Sequence, residues 1–110
     1  MDRKDFYKNN NIVEIEWWLS WCHEYPNLYW ARLRFFSNGK ADVAFQDESK
    51  IYGFNNKEFA QYFAGEDEFS LFQNMDDEDK KDLEIPPDVE VELPTWAKKN
   101  FSEFIFIGDY

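Results

Sequence analysis

Cysteine and histidine are almost absent from this chain, which contains one of each, Cys22 and His23. A single Cys excludes an internal disulfide and fits a reducing compartment. With one His as well, a metal would find little beyond oxygen ligands. Neighbouring strand residues point to opposite faces, so the adjacent pair does not form a thiol–imidazole dyad by itself. We interpret Cys22 as a small buried side chain and His23 as a rim residue.

Glycine is scarce as well, and the catalytic motifs that depend on it are missing. The four glycines are isolated, so the chain has no glycine-rich phosphate loop, and neither Gly-x-Ser-x-Gly nor His-Glu-x-x-His occurs. Catalysis by paired carboxylates is the one chemistry that the sequence leaves available. Among 23 acidic residues some pair always looks suitable, so such a pair is no evidence for an enzyme. We therefore predict a protein that is not an enzyme and has no cofactor.

Long apolar runs are lacking too. The N-terminal residues 1–5 are mostly charged and lead into no apolar segment, and no run approaches the roughly 20 residues that span a bilayer. We expect a soluble, cytoplasmic protein without a membrane partner. The length of 110 residues predicts a single domain over 1–110, with residues 1–11 as a frayed lead-in.

Charge is abundant but unevenly placed. Between Glu66 and Glu92 the chain has twelve Asp or Glu and two Lys, which accounts for most of the net charge of -11. A field of this size repels nucleic acid and anionic membranes and attracts basic surfaces. Apolar residues are interleaved with these acids, which predicts a folded acidic surface instead of a disordered tail.

Aromatic residues are the second surplus: twelve Phe, six Tyr and five Trp. This exceeds what a four-stranded sheet with one helical layer needs inside, so either both sheet faces are covered or some rings are exposed. Trp17, Trp18, Trp21 and Trp30 fall in or beside the first hairpin. Exposed Trp residues there would anchor a protein contact or stack on a sugar.

Apolar–polar alternation predicts a meander of strands over Ile12–Cys22, Leu28–Phe36, Lys40–Gln46 and Lys50–Phe54. A helical stripe competes in the first segment, but its β-branched and aromatic residues favour a strand. Asn38-Gly39 is a strong hairpin signal because both residues accept positive φ. In the third strand, Asp42 is predicted to face outward.

The second half of the chain predicts helices and further strands. An N-cap at Asn55-Asn56 begins a helix that stops at Gly65, and a second short helix starts at 66–68. Residues 76–82 are predicted as a solvated acidic link, 89–93 as a one-sided strand and 101–107 as a last strand. The predicted fold is α+β: an antiparallel meander of four to five strands with one or two short helices packed on one face.

Nucleic acid and metal ions are both poor candidates as ligands. Arg32 and Arg34 beside Trp30 form a small basic–aromatic patch, but two Arg residues against a net charge of -11 are a weak electrostatic footprint. We expect them to pair with Asp42 or Glu48 or to cover apolar surface. The acidic run 76–79 does not continue as an EF-hand loop, so we predict no metal site.

The segment from Tyr29 to Met75 resembles a small, functionally uncharacterised bacterial family. The matching pieces are Tyr-Trp-Ala-Arg-Leu-Arg at 29–34, Ser-Asn-Gly-Lys-Ala-Asp-Val at 37–43, Tyr-Gly-Phe at 52–54 and Glu-Asp-Glu-Phe at 66–69. The similar proteins have Asp-Gly in the turn and Tyr at the position of Phe69. The resemblance implies a bacterial α+β domain with an immunity-type or accessory role, and it assigns no site residue.

The leading hypothesis is a non-enzymatic acidic interaction protein, immunity- or inhibitor-like, that binds a basic protein partner. The candidate partner-binding residues are Glu66, Asp67, Glu68, Asp76, Asp77, Glu78, Asp79, Trp18 and Trp30. A small-ligand or carbohydrate binding module built on the hairpin aromatics is the alternative. A structural domain without a specific partner is the third reading. An edge strand that pairs two copies would give a homodimer.

Overall fold

One mixed β-sheet organises the protein, whose structure is a computed structural model that describes residues 1–110. The elements, in chain order, are α1 (Arg3–Tyr7), β1 (Ile12–Ser20), β2 (Trp30–Phe36), β3 (Ala41–Phe45), β4 (Lys50–Phe54), α2 (Lys57–Glu66), β5 (Phe69–Leu71), a 3-10 turn (Phe72–Asn74), α3 (Asp77–Asp82) and β6 (Glu103–Gly108). None of these helices has the length and apolar character that crossing a bilayer requires.

The predicted α+β class is confirmed, but the sheet is larger than the predicted antiparallel meander. Its six strands follow the order β5-β1-β2-β3-β4-β6, and β6 runs parallel to β4. A parallel neighbour needs a long connection, and the chain between β4 and β6 supplies it. The meander itself, β1 to β4, forms as predicted, with Gly39 at φ 89° in the second hairpin.

Both faces of the sheet are covered, which accommodates the aromatic surplus. The face beneath α2, here the helix face, buries a cluster of ten residues that includes Leu33, Val43 and Phe45. The opposite face, here the loop face, buries a second cluster under the segment after α3: Trp17, Leu19, Trp30, Met75, Leu83 and Ile85. The prediction of helices on one face only is therefore incomplete.

The N-terminal segment is ordered, so the predicted frayed lead-in is wrong. Asp2 caps α1 by accepting a hydrogen bond from the Asp5 amide at 2.8 Å, and Phe6 is 1% exposed. The Phe6 ring packs on Phe104, with 5.0 Å between the ring centroids. Gly53 permits this approach, because an added Cβ would lie 2.9 Å from the Phe6 ring.

Three predictions between residues 66 and 93 are wrong. Residues 66–68 end α2 instead of starting a helix, and Glu68, at φ 65°, turns the chain into β5. The acidic link predicted over 76–82 contains α3, which begins in a capping box between Asp76 and Asp79. Residues 89–93 form no strand, since Val89 and Val91 lie in an irregular segment over the loop face.

The loop face also buries an ion pair. Asp42, predicted to face outward, is fully buried and binds Arg34 at 2.6 Å, because the second face is covered as well. The predicted cross-strand pairing of Arg34 with Asp42 is thereby confirmed. The Tyr7 hydroxyl donates to the same carboxylate at 2.7 Å. The ion pair therefore connects β2 and β3 to α1.

Replacing Phe6 with Ala is expected to lower the free energy of unfolding by about 3–5 kcal/mol, because it empties a fully buried aromatic site. Urea denaturation followed by circular dichroism measures the change. Lys8→Ala, at an exposed position in the same segment, is the control and should change stability by less than about 0.5 kcal/mol. Equal stability of Phe6→Ala and Lys8→Ala would show that α1 is not docked.

We also expect the free energy of unfolding to fall as the pH rises above about 10. Burial, reinforced by the hydrogen bond to Glu48, raises the pKa of Tyr52 from 10.0 to about 12. The unfolded chain releases this proton near pH 10 while the folded protein retains it, so alkaline pH favours unfolding. Urea titrations from pH 8 to pH 11.5 measure the slope.

Tyr52→Phe should make this alkaline slope shallower, because it removes one of the tyrosines with a raised pKa. Tyr62→Phe is the matched control, since it removes the same hydroxyl at a position that is 67% exposed. Equal slopes for wild type and Tyr52→Phe would contradict this assignment.

Candidate functional site

A groove lies between α2 and β1, on the side of the sheet that α2 covers. Ala60 and Ala64 pack α2 on the sheet, so residues four apart on the other side of the helix form an exposed row. This row is Glu58, Tyr62 and Glu66, and it lies opposite Trp18 of β1. The groove encloses about 500 Å³ and is also lined by Gln61 and Gly65.

A buried carboxylate belongs to the same region. Glu16 is 7% exposed, and its Oε1 accepts hydrogen bonds from Trp18 Nε1 and Gln61 Nε2, both at 3.1 Å. Both donors are neutral, and Glu16 forms no salt bridge. The negative charge of Glu16 is therefore held by hydrogen bonds but not balanced by a cation.

Charge in the groove is of one sign. Glu58 and Glu66 stand on its wall, and none of the six lining residues is Lys or Arg. Lys57, next to Glu58 in the chain, pairs with Glu14 at 3.3 Å and lies over the Phe35 ring. The groove thus presents two aromatic side chains, Trp18 and Tyr62, among uncompensated carboxylates.

Such an arrangement is suited to binding a cation. Ammonium and guanidinium groups are attracted to aromatic faces and form strong, charge-assisted hydrogen bonds with carboxylates.

Comparison of the chain with protein-family models, curated proteins and solved structures finds no match in any of the three. The resemblance to the small bacterial family stays a prediction.

The structure brings together only two of the nine residues proposed from sequence, Trp18 and Glu66, in this groove. Asp67 and Glu68 are exposed just beyond it, where α2 ends. Glu68 accepts a hydrogen bond from the Cys22 thiol at 2.9 Å, which raises the pKa of Cys22. Cys22 is exposed, so its interpretation as a buried side chain is wrong.

The acidic run of α3 lies outside the groove. Asp76 and Asp79 accept hydrogen bonds from each other's backbone amides at 2.8 and 3.2 Å, so these two carboxylates start the helix. Asp77 and Glu78 are exposed and make no side-chain hydrogen bond or salt bridge. No group of three or more His, Cys, Asp or Glu is arranged to hold a metal ion.

Trp30 does not provide the exposed contact that was predicted for it. It is 7% exposed and packs edge-on against Trp17 and Phe72. The reason is that the segment after α3 covers the loop face, where the alternation of β2 places this ring. The carbohydrate alternative depends on exposed aromatic rings in the first hairpin. Of the remaining Trp residues there, Trp17 is buried and Trp18 is half-buried, while Trp21 is 37% exposed.

Sequence reasoning missed Glu16, Glu58, Gln61 and Tyr62. The four-residue spacing of Glu58, Tyr62 and Glu66 on a predicted helix was a usable signal for a shared surface row. Nothing in the local sequence distinguishes Glu16 from Glu14. Glu16 differs from Glu14 only in the folded protein, where it is buried and Gln61 of α2 donates a hydrogen bond to it.

Replacing Glu16 with Gln is expected to raise the free energy of unfolding by about 1 kcal/mol, because it removes an unbalanced buried charge. The amide oxygen can still accept the bonds from Trp18 and Gln61. Glu58→Gln is the matched control: it removes an exposed carboxylate from the first turn of α2 and should lower stability by about 0.3–1 kcal/mol. Urea denaturation distinguishes the two signs, and a loss of stability in Glu16→Gln would contradict the argument.

Proposed function

We propose that this protein is a non-enzymatic interaction protein that binds a basic protein partner through the groove between α2 and β1. The observation that carries the proposal is the grouping of Glu16, Glu58 and Glu66 around Trp18 and Tyr62 with no lining cation. A Lys or Arg side chain of the partner enters the groove, where it contacts the rings and balances the carboxylates.

The charge distribution supports a protein partner that is basic. The net charge of -11 repels a second copy of the chain and raises the rate of encounter with positive surfaces. Asp67 and Glu68 extend the acidic surface beyond the groove, and Asp77 and Glu78 add charge at a distance. In this proposal the groove residues determine affinity, and the remote acids mainly increase the association rate.

An exposed apolar strip at the unpaired edge of β1 supplies further contact area. β5 pairs only with Trp18–Ser20, so the first half of β1 has no strand on that side. Ile12, Val13 and Ile15 are 47%, 64% and 41% exposed at this edge, and Ile12 and Ile15 lie opposite Phe36 and Arg34 on the loop face. We propose that the partner extends around this edge and covers these side chains while its cation occupies the groove.

An immunity- or inhibitor-type role is the form of this function that we favour. The groove lies on a packed helix and a sheet strand, and Glu16 and Glu66 accept hydrogen bonds from Gln61 and Tyr110, so these two carboxylates are held in place before the partner arrives. A pre-organised acidic surface of this kind is suited to covering the basic surface of a nuclease or of another nucleic-acid-binding protein.

The test is affinity capture from a lysate of the native host, with elution by a salt gradient and identification by mass spectrometry. Immobilised wild type is expected to retain a basic protein that moderate salt releases. The groove variant Glu58→Gln/Glu66→Gln should weaken the affinity of that protein by about tenfold or more, because two charges around the bound cation are lost.

Asp77→Asn/Glu78→Gln is the matched control, since it removes the same charge from α3. It should mainly slow association and change affinity by less than about threefold. Equal retention of the protein by the groove variant would overturn the proposal. So would the absence of any basic protein from the wild-type eluate.

A further inference from the structure

Four cationic side chains converge on the loop face, on the other side of the sheet from the groove. Arg3 of α1, Arg32 and Arg34 of β2 and Lys99 of the C-terminal segment line a cavity of about 380 Å³. Three distant parts of the chain therefore contribute to one basic cavity in a protein whose net charge is -11. The cavity is independent of the proposed partner-binding groove.

Only one of these cations is balanced by a carboxylate. Arg34 binds the buried Asp42 through Nε, at 3.1 and 3.2 Å, and through Nη2, at 2.6 Å. Arg3 donates from Nη1 to the Phe101 carbonyl at 2.7 Å, and Lys99 donates to the Gln46 carbonyl. Arg3 and Lys99 form no salt bridge, so their charges are not compensated.

Arg32 is the least satisfied of the four. Its Nε is buried without a hydrogen-bond partner, and the side chain forms no salt bridge. The guanidinium carbon lies 5.2 Å from the centre of the Phe101 ring and 5.7 Å from that of Trp96, so both neighbours are aromatic rings that attract the cation and offer no oxygen acceptor. Burial, followed by the nearby charge of Arg34, lowers the pKa of Arg32. Guanidinium nevertheless stays protonated at neutral pH.

We propose that this cavity binds a phosphate group, either free or as the terminal group of a small phosphomonoester, with Arg32 as its principal ligand. Three unbalanced cations fit the charge of a phosphate dianion better than that of a single carboxylate. Guanidinium groups bind phosphate oxygens through paired hydrogen bonds, and Arg32 lines the cavity without donating to any acceptor of the protein. The net charge of -11 repels a long polyanion and so favours a small ligand.

The experiment measures binding of inorganic phosphate and of glycerol phosphate to the full chain by isothermal titration calorimetry and by thermal shift. Sodium chloride at matched ionic strength is the ion control. Wild type is expected to bind both ligands and to be stabilised by them beyond the effect of chloride. Tighter binding of inorganic phosphate would indicate that the ligand is free phosphate, and tighter binding of glycerol phosphate would indicate a phosphomonoester.

Arg32→Gln should weaken phosphate binding by about tenfold or more, since it removes the charged donor that has no other partner. Lys99→Gln, on the outer segment, should weaken it by about threefold or more and serves if Arg32→Gln does not fold. Lys57→Gln removes the same charge on the helix face and should bind phosphate like wild type.

Two results would overturn the proposal. One is a thermal shift with phosphate no larger than that with chloride. The other is equal phosphate affinity of wild type, Arg32→Gln and Lys99→Gln, with circular dichroism showing that the variants are folded.

Discussion

The buried ion pair between Arg34 and Asp42 is the contact on which the loop face depends. Asp42 lies opposite Arg34 in the β2–β3 register and is fully withdrawn from water, so its charge is tolerable only with this guanidinium beside it. The Tyr7 hydroxyl donates a further hydrogen bond to the Asp42 carboxylate and thereby positions α1. Because α1 contributes Phe6 to the aromatic packing and Arg3 to the basic cavity, both features depend on the same buried charge.

A sheet covered on both faces also explains how the protein can present two surfaces of opposite charge. The acidic groove on the helix face and the basic cavity on the loop face are separated by the sheet and its packed side chains. In β1 and β2 the alternation of side chains sends Glu16 and Trp18 towards α2, while Trp17 and Arg32 pair on the other side. Neighbouring residues therefore serve different faces, and the cations of one face do not neutralise the carboxylates of the other.

The sequence predicted the parts of the fold that are encoded over short distances. The strand at Lys50–Phe54, the turn at Asn38-Gly39 and the N-cap at Asn55-Asn56, where Asn56 is the capping residue, are confirmed, because each depends on residues within a few positions. The docking of Phe6 and the parallel pairing of β6 were not predictable, since their partners lie far away in the chain. Of the candidate site, Trp18 and Glu66 were predicted, whereas Glu16 becomes distinctive only when Gln61 and Trp18 donate to it.

By itself, then, the sequence determined the α+β class, the order of the first four strands, the acidity and the scarcity of cysteine, histidine and glycine, because composition and local periodicity carry that information. Only the tertiary structure decided which faces are covered, which charges are buried and which stay without a partner. Trp30 and Asp42 show the reason. Burial depends on what the rest of the chain lays across a strand, and here that covering comes from α1 and from the segment after α3.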